Sequence, residues 1–173
     1  RVLMASIVSL RAGVIGTGFI GPVHVEGLRR IGVGVTAICD VNDLGTKAAA
    51  RLGIPHAFDD YRDLVACPEV DVVHITTPNR FHCEMSLAAL RAGKHVVCEK
   101  PLAMNTRETA RIVKAAQAAG RTFAVNYNLR FYPAILQLRR LVASGEMGEI
   151  IHVNGSYFQD WLFKDTDYNW RLL

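Results

Sequence analysis

The sequence predicts an α/β protein with a doubly wound parallel sheet, followed by the start of a second α/β domain. Short apolar runs alternate with segments of helical spacing through residues 10–126. The runs are apolar throughout, as in parallel strands that are covered on both faces. Short loops join these segments, which is typical of a sheet that carries helices on both faces. We therefore expect a first domain at residues 1–126 and an incomplete second domain at 127–173.

The elements of the first domain follow from these runs taken in order. Strands are predicted at Leu10–Ile15, Val35–Cys39, Val70–Ile75, His95–Cys98 and Thr122–Val125. Helices are predicted at Phe19–Ile31, Leu44–Leu52, Tyr61–Ala66, Phe81–Ala92 and Thr106–Ala119. Most of these helices are followed by Gly, the residue that helix C-termini favour.

The pattern changes after Asn126. A helix is predicted at Pro133–Ser144, because Pro stands at its start and Gly145 follows its end. The run Glu149–Phe158 alternates apolar and polar residues, which predicts an antiparallel strand with one solvated face. A single strand cannot complete a core, so we expect only part of a second domain in these residues.

The composition excludes several functional classes. Of 173 residues, 20 are Lys or Arg and 16 are Asp or Glu, and the net charge is +4. The basic residues are scattered, so we expect no nucleic-acid partner. No apolar run reaches the roughly 18 residues that a membrane span needs. The four cysteines lack CxxC spacing, which favours reduced thiols and a cytoplasmic location. No residue spacing indicates a metal site.

The stretch "GVIGTGFIG" forms a GxGxxG motif between a predicted strand and a predicted helix. Its first Gly permits a tight turn, its second lets the backbone approach a pyrophosphate, and its third lets helix and strand pack closely. The phosphates would lie at the positive N-terminus of the helix. The alternative is a turn whose glycines are incidental. The predicted cofactor contacts are Gly16, Thr17, Gly18, Phe19, Ile20 and Gly21.

Asp40 ends the second predicted strand, in "AICDVN". It follows the glycine turn at about the distance expected of an acid that binds the adenosine ribose hydroxyls. Its carboxylate would repel a 2′-phosphate, and no Arg follows directly. We therefore expect NAD as the cofactor, with NADP as the alternative. The alternative for Asp40 itself is an ordinary strand-end Asp in a turn.

The stretch "TTPNRFH" follows the next clear strand. Ligands of such sheets bind beyond the carboxyl ends of the strands, so Thr77, Pro78, Asn79 and His82 are predicted cofactor contacts. The same residues suit a turn that caps a helix, and the pattern alone does not choose between the two interpretations. A lone histidine such as His82 is more often structural than functional.

The stretch "CEKPLA" places Glu99 and Lys100 at the end of another predicted strand, on the same edge of the sheet. Glu99 is a predicted cofactor contact. A lysine beside a nicotinamide ring can hydrogen-bond a substrate hydroxyl and assist the transfer of its proton. Lys100 is therefore the predicted catalytic residue and also a predicted cofactor contact, with Pro101 fixing the adjacent backbone. The alternative is an exposed ion pair between Glu99 and Lys100.

Four further residues have weaker patterns. Arg130, Trp170 and Arg171 are candidates for cofactor or substrate contacts, with packing between domains as the alternative. His24 stands in the first turn of the first predicted helix and is interpreted as a packing residue.

Together and in this order, these motifs resemble the glucose-fructose oxidoreductase, inositol 2-dehydrogenase and MocA family. The resemblance covers nearly all of the chain from residue 11 onward. "EKP" after "AGKHV" is its most specific part. The matching stretches are "GVIGTGFIGPVH", "CDVN", "TTPNRFH", "AGKHVVCEKPLA", "NYNLRFYP" and "GEMGEIIHVNGSY".

The resemblance implies an N-terminal dinucleotide-binding Rossmann domain and a C-terminal domain with an open, mainly antiparallel sheet. It implies reversible hydride transfer between NAD(P) and a hydroxyl of a sugar, cyclitol or related polyol, in a homo-oligomer when the protein is full length. It assigns substrate contact and catalysis to Lys100 and a cis peptide bond to Lys100–Pro101. It places Thr77–Asn79 and Glu99 at the nicotinamide end.

The sequence departs from the family in length. Family members are about twice as long, and a later Gly-rich segment carries an Asp and a His, the usual base, over the nicotinamide. These 173 residues contain no such segment. His152 is no substitute by pattern, because it lies within a predicted strand. The chain is therefore interpreted as the cofactor-binding half of a dehydrogenase. The alternative is a truncated, non-catalytic NAD-binding or regulatory module.

Overall fold

The first part of the chain is a parallel sheet between two layers of helices. The computed structural model describes residues 9–168. Its strands are β1 (Arg11–Ile15), β2 (Gly34–Cys39), β3 (His56–Phe58), β4 (Val72–Ile75), β5 (His95–Glu99) and β6 (Phe123–Asn126). They form one sheet in the order β3-β2-β1-β4-β5-β6, and every neighbouring pair is parallel. The predicted doubly wound sheet is confirmed.

The helices of the described residues lie close to their predicted positions. They are α1 (Gly21–Arg30), α2 (Leu44–Leu52), α3 (Tyr61–Ala66), α4 (His82–Arg91), α5 (Thr106–Ala119) and α6 (Pro133–Ala143). The chain divides into two compact units, Arg1–Asn128 and Leu129–Leu173, and α6 belongs to the second.

The core of the first unit covers both faces of the sheet. Ile38 packs in a cluster with residues of α1 and α2, whereas its neighbour Cys39 packs with residues of α3, α4 and α5. Successive side chains of a strand point to opposite faces, so a strand that is covered on both sides must be apolar at every position. This explains why the strands read as continuous apolar runs.

Local caps define the ends of the helices. The Asn105 side chain accepts a hydrogen bond from the Glu108 N–H at the start of α5. Gly120 ends the same helix with a φ of 59°, a left-handed conformation that favours glycine. The first helix begins at Gly21 rather than at Phe19. The prediction was two residues early there, because the glycine turn continues through Ile20.

Two differences from the sequence-based expectations have a physical reason. The short edge strand β3 pairs only with β2 and is too short to show a periodicity. The run Glu149–Phe158 was predicted as a strand and forms none. A strand needs a hydrogen-bonding partner, and within residues 9–168 no other segment pairs with this run.

The helices and the cysteines of residues 9–168 have two further properties. None of their helices is both long enough and apolar enough to cross a membrane. The four cysteines, Cys39, Cys67, Cys83 and Cys98, are free thiols.

Candidate functional site

The predicted site residues of the first unit follow strands that lie side by side. Gly16 follows β1, Asp40 follows β2, Thr77 lies two residues after β4 and Lys100 follows β5. The carboxyl ends of parallel strands meet at one edge of the sheet. The chain leaves β1 toward one face and β4 toward the other, so a crevice opens between these two strands. The topology therefore brings the motifs together at the place where open α/β sheets bind ligands.

The glycine turn is closely packed at its first and third glycines. Gly16 has a φ of 100°, and a Cβ there would lie 2.8 Å from the Thr76 carbonyl carbon. A Cβ on Gly21 would lie 2.1 Å from the Gly16 carbonyl oxygen. Any larger residue at Gly21 would force α1 away from β1. The roles predicted for these two glycines agree with the observed packing.

Thr76 holds the glycine turn against the neighbouring strand. Its hydroxyl lies 2.9 Å from the Ile15 carbonyl oxygen and 2.8 Å from that of Gly16, and its N–H donates to Ile15 at 2.8 Å. Thr76 is buried. Thr76 was not among the predicted site residues, and its one sequence signal is its position directly before "TPN".

The space above the glycine turn fits an anionic group. A Cβ on Gly18 would meet no protein atom within 4 Å, and the Phe19 side chain is 93% exposed. No side chain caps the N-terminus of α1. Its first N–H groups therefore have no side-chain acceptor, and such groups suit a phosphate. The donors and the open space are those that a dinucleotide pyrophosphate requires.

Asp40 is bound to the glycine turn. Its Oδ2 accepts hydrogen bonds from the Thr17 N–H at 2.7 Å and the Thr17 hydroxyl at 2.6 Å, and its Oδ1 accepts from the Val41 N–H at 2.8 Å. A carboxylate has about four acceptor positions, so these donors leave one on Oδ1 for a ribose hydroxyl. The bonds to Thr17 and Val41 fix the turn, and the binding of a ribose by Asp40 stays a prediction.

Gly45 is a second residue that the sequence analysis missed. A Cβ on Gly45 would lie 2.9 Å from the Asp40 N and 2.8 Å from the Phe58 carbonyl oxygen. Before it, Asn42 and Asp43 have φ values of 55° and 59°. This compact loop seats the start of α2 against Asp40 and so fixes the position of its carboxylate.

The "TPN" stretch is joined to the "EKP" stretch by His82. Pro78 precedes a short 3₁₀ helix, Asn79–Phe81, that leads into α4. His82 is fully buried, with Nε2 2.8 Å from the Thr77 carbonyl oxygen and Nδ1 2.8 Å from that of Pro101. The stretch therefore forms the turn that leads into α4, and the cofactor contacts of Thr77, Pro78 and Asn79 stay predictions. His82 binds two loops at the sheet edge, and its prediction as a cofactor contact is not supported because the side chain is enclosed by protein.

Glu99 lies in a buried hydrogen-bond network. Its Oε1 is 3.1 Å from His24 Nε2 and 2.5 Å from Asn126 Nδ2, and its Oε2 accepts the Lys100 N–H at 3.1 Å. His24 Nδ1 lies 2.9 Å from His74 Nδ1. His24, in α1, thus belongs to a hydrogen-bond network with side chains of β4, β5 and β6. Its interpretation as a packing residue is corrected accordingly.

This network keeps Glu99 ionised. Burial acts to raise the pKa of Glu99, but the hydrogen bonds from His24, Asn126 and the Lys100 N–H outweigh it and lower that pKa below its ordinary value. Burial and the nearby His24 lower the pKa of His74 to about 4. The network therefore combines a carboxylate with a neutral His74 at physiological pH.

Lys100 is exposed and does not pair with its neighbour. Within residues 9–168 the ion-pair partner of Glu99 is His24, and only the backbone N–H of Lys100 contacts its carboxylate. The alternative of an exposed Glu99–Lys100 ion pair is therefore wrong, because the Glu99 side chain is buried while that of Lys100 faces solvent. The Lys100–Pro101 peptide bond is cis, as the resemblance implies.

The three remaining predicted residues lie beyond the first unit, which ends at Asn128. Arg130 lies in a short 3₁₀ helix, Asn128–Phe131, and is exposed. Trp170 and Arg171 lie outside the described residues. Their assignments stay predictions.

Comparison with known proteins gives a family match. The model of an oxidoreductase family with an NAD-binding Rossmann fold matches residues 10–127. The levoglucosan dehydrogenase of Pseudarthrobacter phenanthrenivorans is 32% identical over 95% of this chain and 45% of its own length. The inositol 2-dehydrogenase of Salmonella paratyphi B is 36% identical over 87% of this chain and 46% of its own length.

Solved structures have the same fold. The scyllo-inositol dehydrogenase of Lactobacillus casei, crystallised with NAD(H) and scyllo-inositol, superposes with a TM-score of 0.77 and is 27% identical. The match covers 82% of this chain and 43% of that one. The chain thus spans about half the length of the curated relatives it matches.

Proposed function

Because the chain belongs to the oxidoreductase family with an NAD-binding Rossmann fold, we propose that it is the cofactor-binding part of a sugar or polyol dehydrogenase. The reaction is hydride transfer between NAD and a hydroxyl of a sugar, cyclitol or related polyol. The observation that carries the proposal is the convergence of the glycine turn, Asp40 and Lys100 at one edge of the sheet.

Residues of the first unit can be matched to the pyrophosphate, the adenosine ribose and the nicotinamide of a bound dinucleotide. The open space at Gly18 and the uncapped start of α1 hold the pyrophosphate. Asp40, with its remaining acceptor position, holds the adenosine ribose and disfavours a 2′-phosphate. The nicotinamide end lies toward Thr77–Asn79 and Lys100, across the crevice. When bound, NAD supplies the acceptor for the hydride of the alcohol carbon.

Lys100 assists the chemistry of the hydroxyl group. Oxidation of an alcohol releases the hydroxyl proton as well as a hydride. Lys100 lies at the end of β5, exposed and unpaired with Glu99, so its ammonium or amine is free to hydrogen-bond a substrate oxygen. The Lys100 N–H donates to the Glu99 carboxylate, and the enclosed His82 lies 2.8 Å from the Pro101 carbonyl oxygen, so the backbone is held on either side of the Lys100 side chain.

The class of substrate follows from the relatives. Levoglucosan and inositols are both rings with several hydroxyls, and the proteins named for them are 32% and 36% identical to this chain over the aligned residues. A polyhydroxylated ring is therefore the proposed substrate class. A homo-oligomer is the proposed assembly of the full-length protein, and the cytoplasm, which suits the free thiols, is its proposed location.

Two measurements test the proposal. The chain is titrated with NADH and with NADPH by nicotinamide fluorescence, and the complete gene product is assayed for NAD reduction with a panel of inositols and sugars. We expect tighter binding of NADH than of NADPH, and turnover with at least one ring polyol. NADH binding without turnover on any polyol would favour the alternative, a non-catalytic NAD-binding module. Absence of binding would refute both.

A further inference from the structure

We propose that His24 is a positioning residue that connects the helix of the glycine turn to Lys100 through the carboxylate of Glu99. The inference rests on the proposed function, since the role of Lys100 belongs to it. His24 lies in the first turn of α1, directly after the glycine turn. It is thus the contact through which the phosphate end of the cofactor site is joined to the chemical end.

The first step is the bond from His24 to Glu99. His24 Nε2 lies 3.1 Å from Glu99 Oε1, and Asn126 Nδ2 lies 2.5 Å from the same oxygen. Because a carboxylate oxygen only accepts, Nε2 must carry the proton that faces it. His24 and Asn126 therefore donate together to one oxygen of Glu99 and fix its side-chain torsions.

The second step is the support that His24 receives from β4. Its Nδ1 lies 2.9 Å from His74 Nδ1, and the two rings meet edge to face with centroids 5.2 Å apart and planes at 80°. With Nδ1 held in this way, the ring can rotate only at the cost of two hydrogen bonds. His74 thereby keeps Nε2 aimed at Glu99.

Both side chains of the His24–Glu99 contact are buried. His24 is 9% exposed and Glu99 is 8% exposed, so water cannot readily replace a donor that is lost. A buried carboxylate without its partners costs more than a bond at the surface. Removing His24 is therefore expected to raise the pKa of Glu99 and to let its side chain move.

Glu99 is in turn joined to the backbone of Lys100. Glu99 Oε2 accepts the Lys100 N–H at 3.1 Å. This bond fixes the peptide from which the Lys100 side chain extends. A displacement of Glu99 therefore displaces the ammonium group, and displacements of about 1 Å at a reacting group can cost roughly 100-fold in rate.

The test compares three substitutions at His24 in the complete gene product. Gln can place its amide nitrogen near the position of Nε2, Asn is too short to reach Glu99, and Leu cannot donate. We expect His24→Leu and His24→Asn to lower kcat at least about tenfold with the KM for NAD changed less than about threefold. His24→Gln should recover most of the kcat. Equal kcat values for the Gln and Asn variants would overturn the proposal, and this pair decides the matter if His24→Leu does not fold.

His56→Leu is the matched control. His56 also pairs with a glutamate through Nε2, at 3.3 Å from Glu69, but this pair is exposed and lies at the far edge strand β3. We expect this variant to keep the kcat of the wild type. An equal loss in the His56 and His24 variants would mean a general effect on stability and would refute a positioning role.

A readout without catalysis separates the inference from the proposed function. The side-chain carboxyl of Glu99 is titrated by carbon-13 NMR in the wild-type chain and in the His24 variants. We expect a raised Glu99 pKa in the Asn and Leu variants and a value near that of the wild type in the Gln variant. An unchanged titration would overturn the inference even if the enzyme turns over. A wild type that fails to oxidise any polyol would refute the proposed function while this titration still tests the network.

Discussion

The Thr17 hydroxyl lies 2.6 Å from Asp40 Oδ2, and the Thr17 N–H lies 2.7 Å from the same oxygen. These two bonds tie the glycine turn after β1 to the end of β2. The residue that is expected to bind the ribose therefore also shapes the loop that is expected to bind the pyrophosphate. A change in either Thr17 or Asp40 is therefore expected to alter both the ribose subsite and the pyrophosphate subsite. The first two predictions test this coupling.

Thr17→Val should weaken NADH binding about three- to tenfold, while Thr17→Ser should bind like the wild type. The Val side chain removes the hydroxyl donor but leaves the backbone N–H, and one lost hydrogen bond of this kind is worth about 1 kcal/mol. Fluorescence titration of both variants measures the effect. Equal affinities for the Val and Ser variants would show that the hydroxyl does not contribute.

Asp40→Ser should reduce the preference for NADH over NADPH. The substitution removes the charge that repels a 2′-phosphate and the acceptor of the ribose hydroxyl, so we expect about tenfold weaker NADH binding and stronger NADPH binding. Titration with both cofactors gives the ratio. A variant that loses affinity for both cofactors equally would assign Asp40 to the turn alone.

Alanine substitutions at Gly21 and Gly18 should have different effects, the first on folding stability and the second on NADH binding. Gly21→Ala is expected to lower the free energy of unfolding by about 2 kcal/mol or more, because its Cβ would lie 2.1 Å from the Gly16 carbonyl oxygen. Gly18→Ala should leave stability nearly unchanged and weaken NADH binding at least about tenfold. Gly27→Ala, on the open side of α1, is the control for both measurements. Urea unfolding and fluorescence titration test them, and normal NADH binding by Gly18→Ala would contradict the assignment of the space above the turn.

Lys100→Ala should greatly reduce turnover without weakening the binding of NADH. Since Lys100 is exposed and its side chain makes no hydrogen bond or ion pair with residues 9–168, we expect kcat of the complete gene product to fall about 100-fold or more, with the dissociation constant for NADH nearly unchanged. Lys114→Ala, which removes an exposed lysine from α5, is the control. An equal loss of turnover and of NADH binding would refute the catalytic assignment.

His74 should make folding stability depend on pH between about 4 and 6.5. Folding lowers the pKa of His74 from 6.5 to about 4, so the unfolded chain binds the additional proton in this interval. The contribution to stability is complete above pH 6.5 and is lost as the pH falls toward 4, and the loss approaches about 3 kcal/mol.

Urea unfolding at a series of pH values checks this prediction. His74→Phe should flatten the dependence between pH 6.5 and 4. The loss caused by protonation of Glu99 falls at lower pH, because the pKa of that carboxyl is lowered. An unaltered slope in His74→Phe would show that another group titrates there.

Most strands, the glycine turn and the motifs at the strand ends are predictable from the sequence, since all of these depend on local patterns. Apolar runs, glycines after helices and the spacing of "GTGFIG" can be recognised in the sequence alone. The strand expected at Glu149–Phe158 does not form, because a strand needs a hydrogen-bonding partner and no segment of residues 9–168 pairs with this run. The strand β3 was missed because three residues carry no periodicity.

Local patterns are enough to give the order of the elements and the chemical groups at their ends: a tight turn at Gly16, a carboxylate at Asp40 and a lysine at Lys100. The tertiary structure alone decided which side chains meet. His24, His74, Glu99 and Asn126 are distant along the chain, and only the strand order brings them within hydrogen-bond distance. The physical reason is that periodicity reports which face of an element is buried, whereas a polar contact depends on the position of its partner after folding.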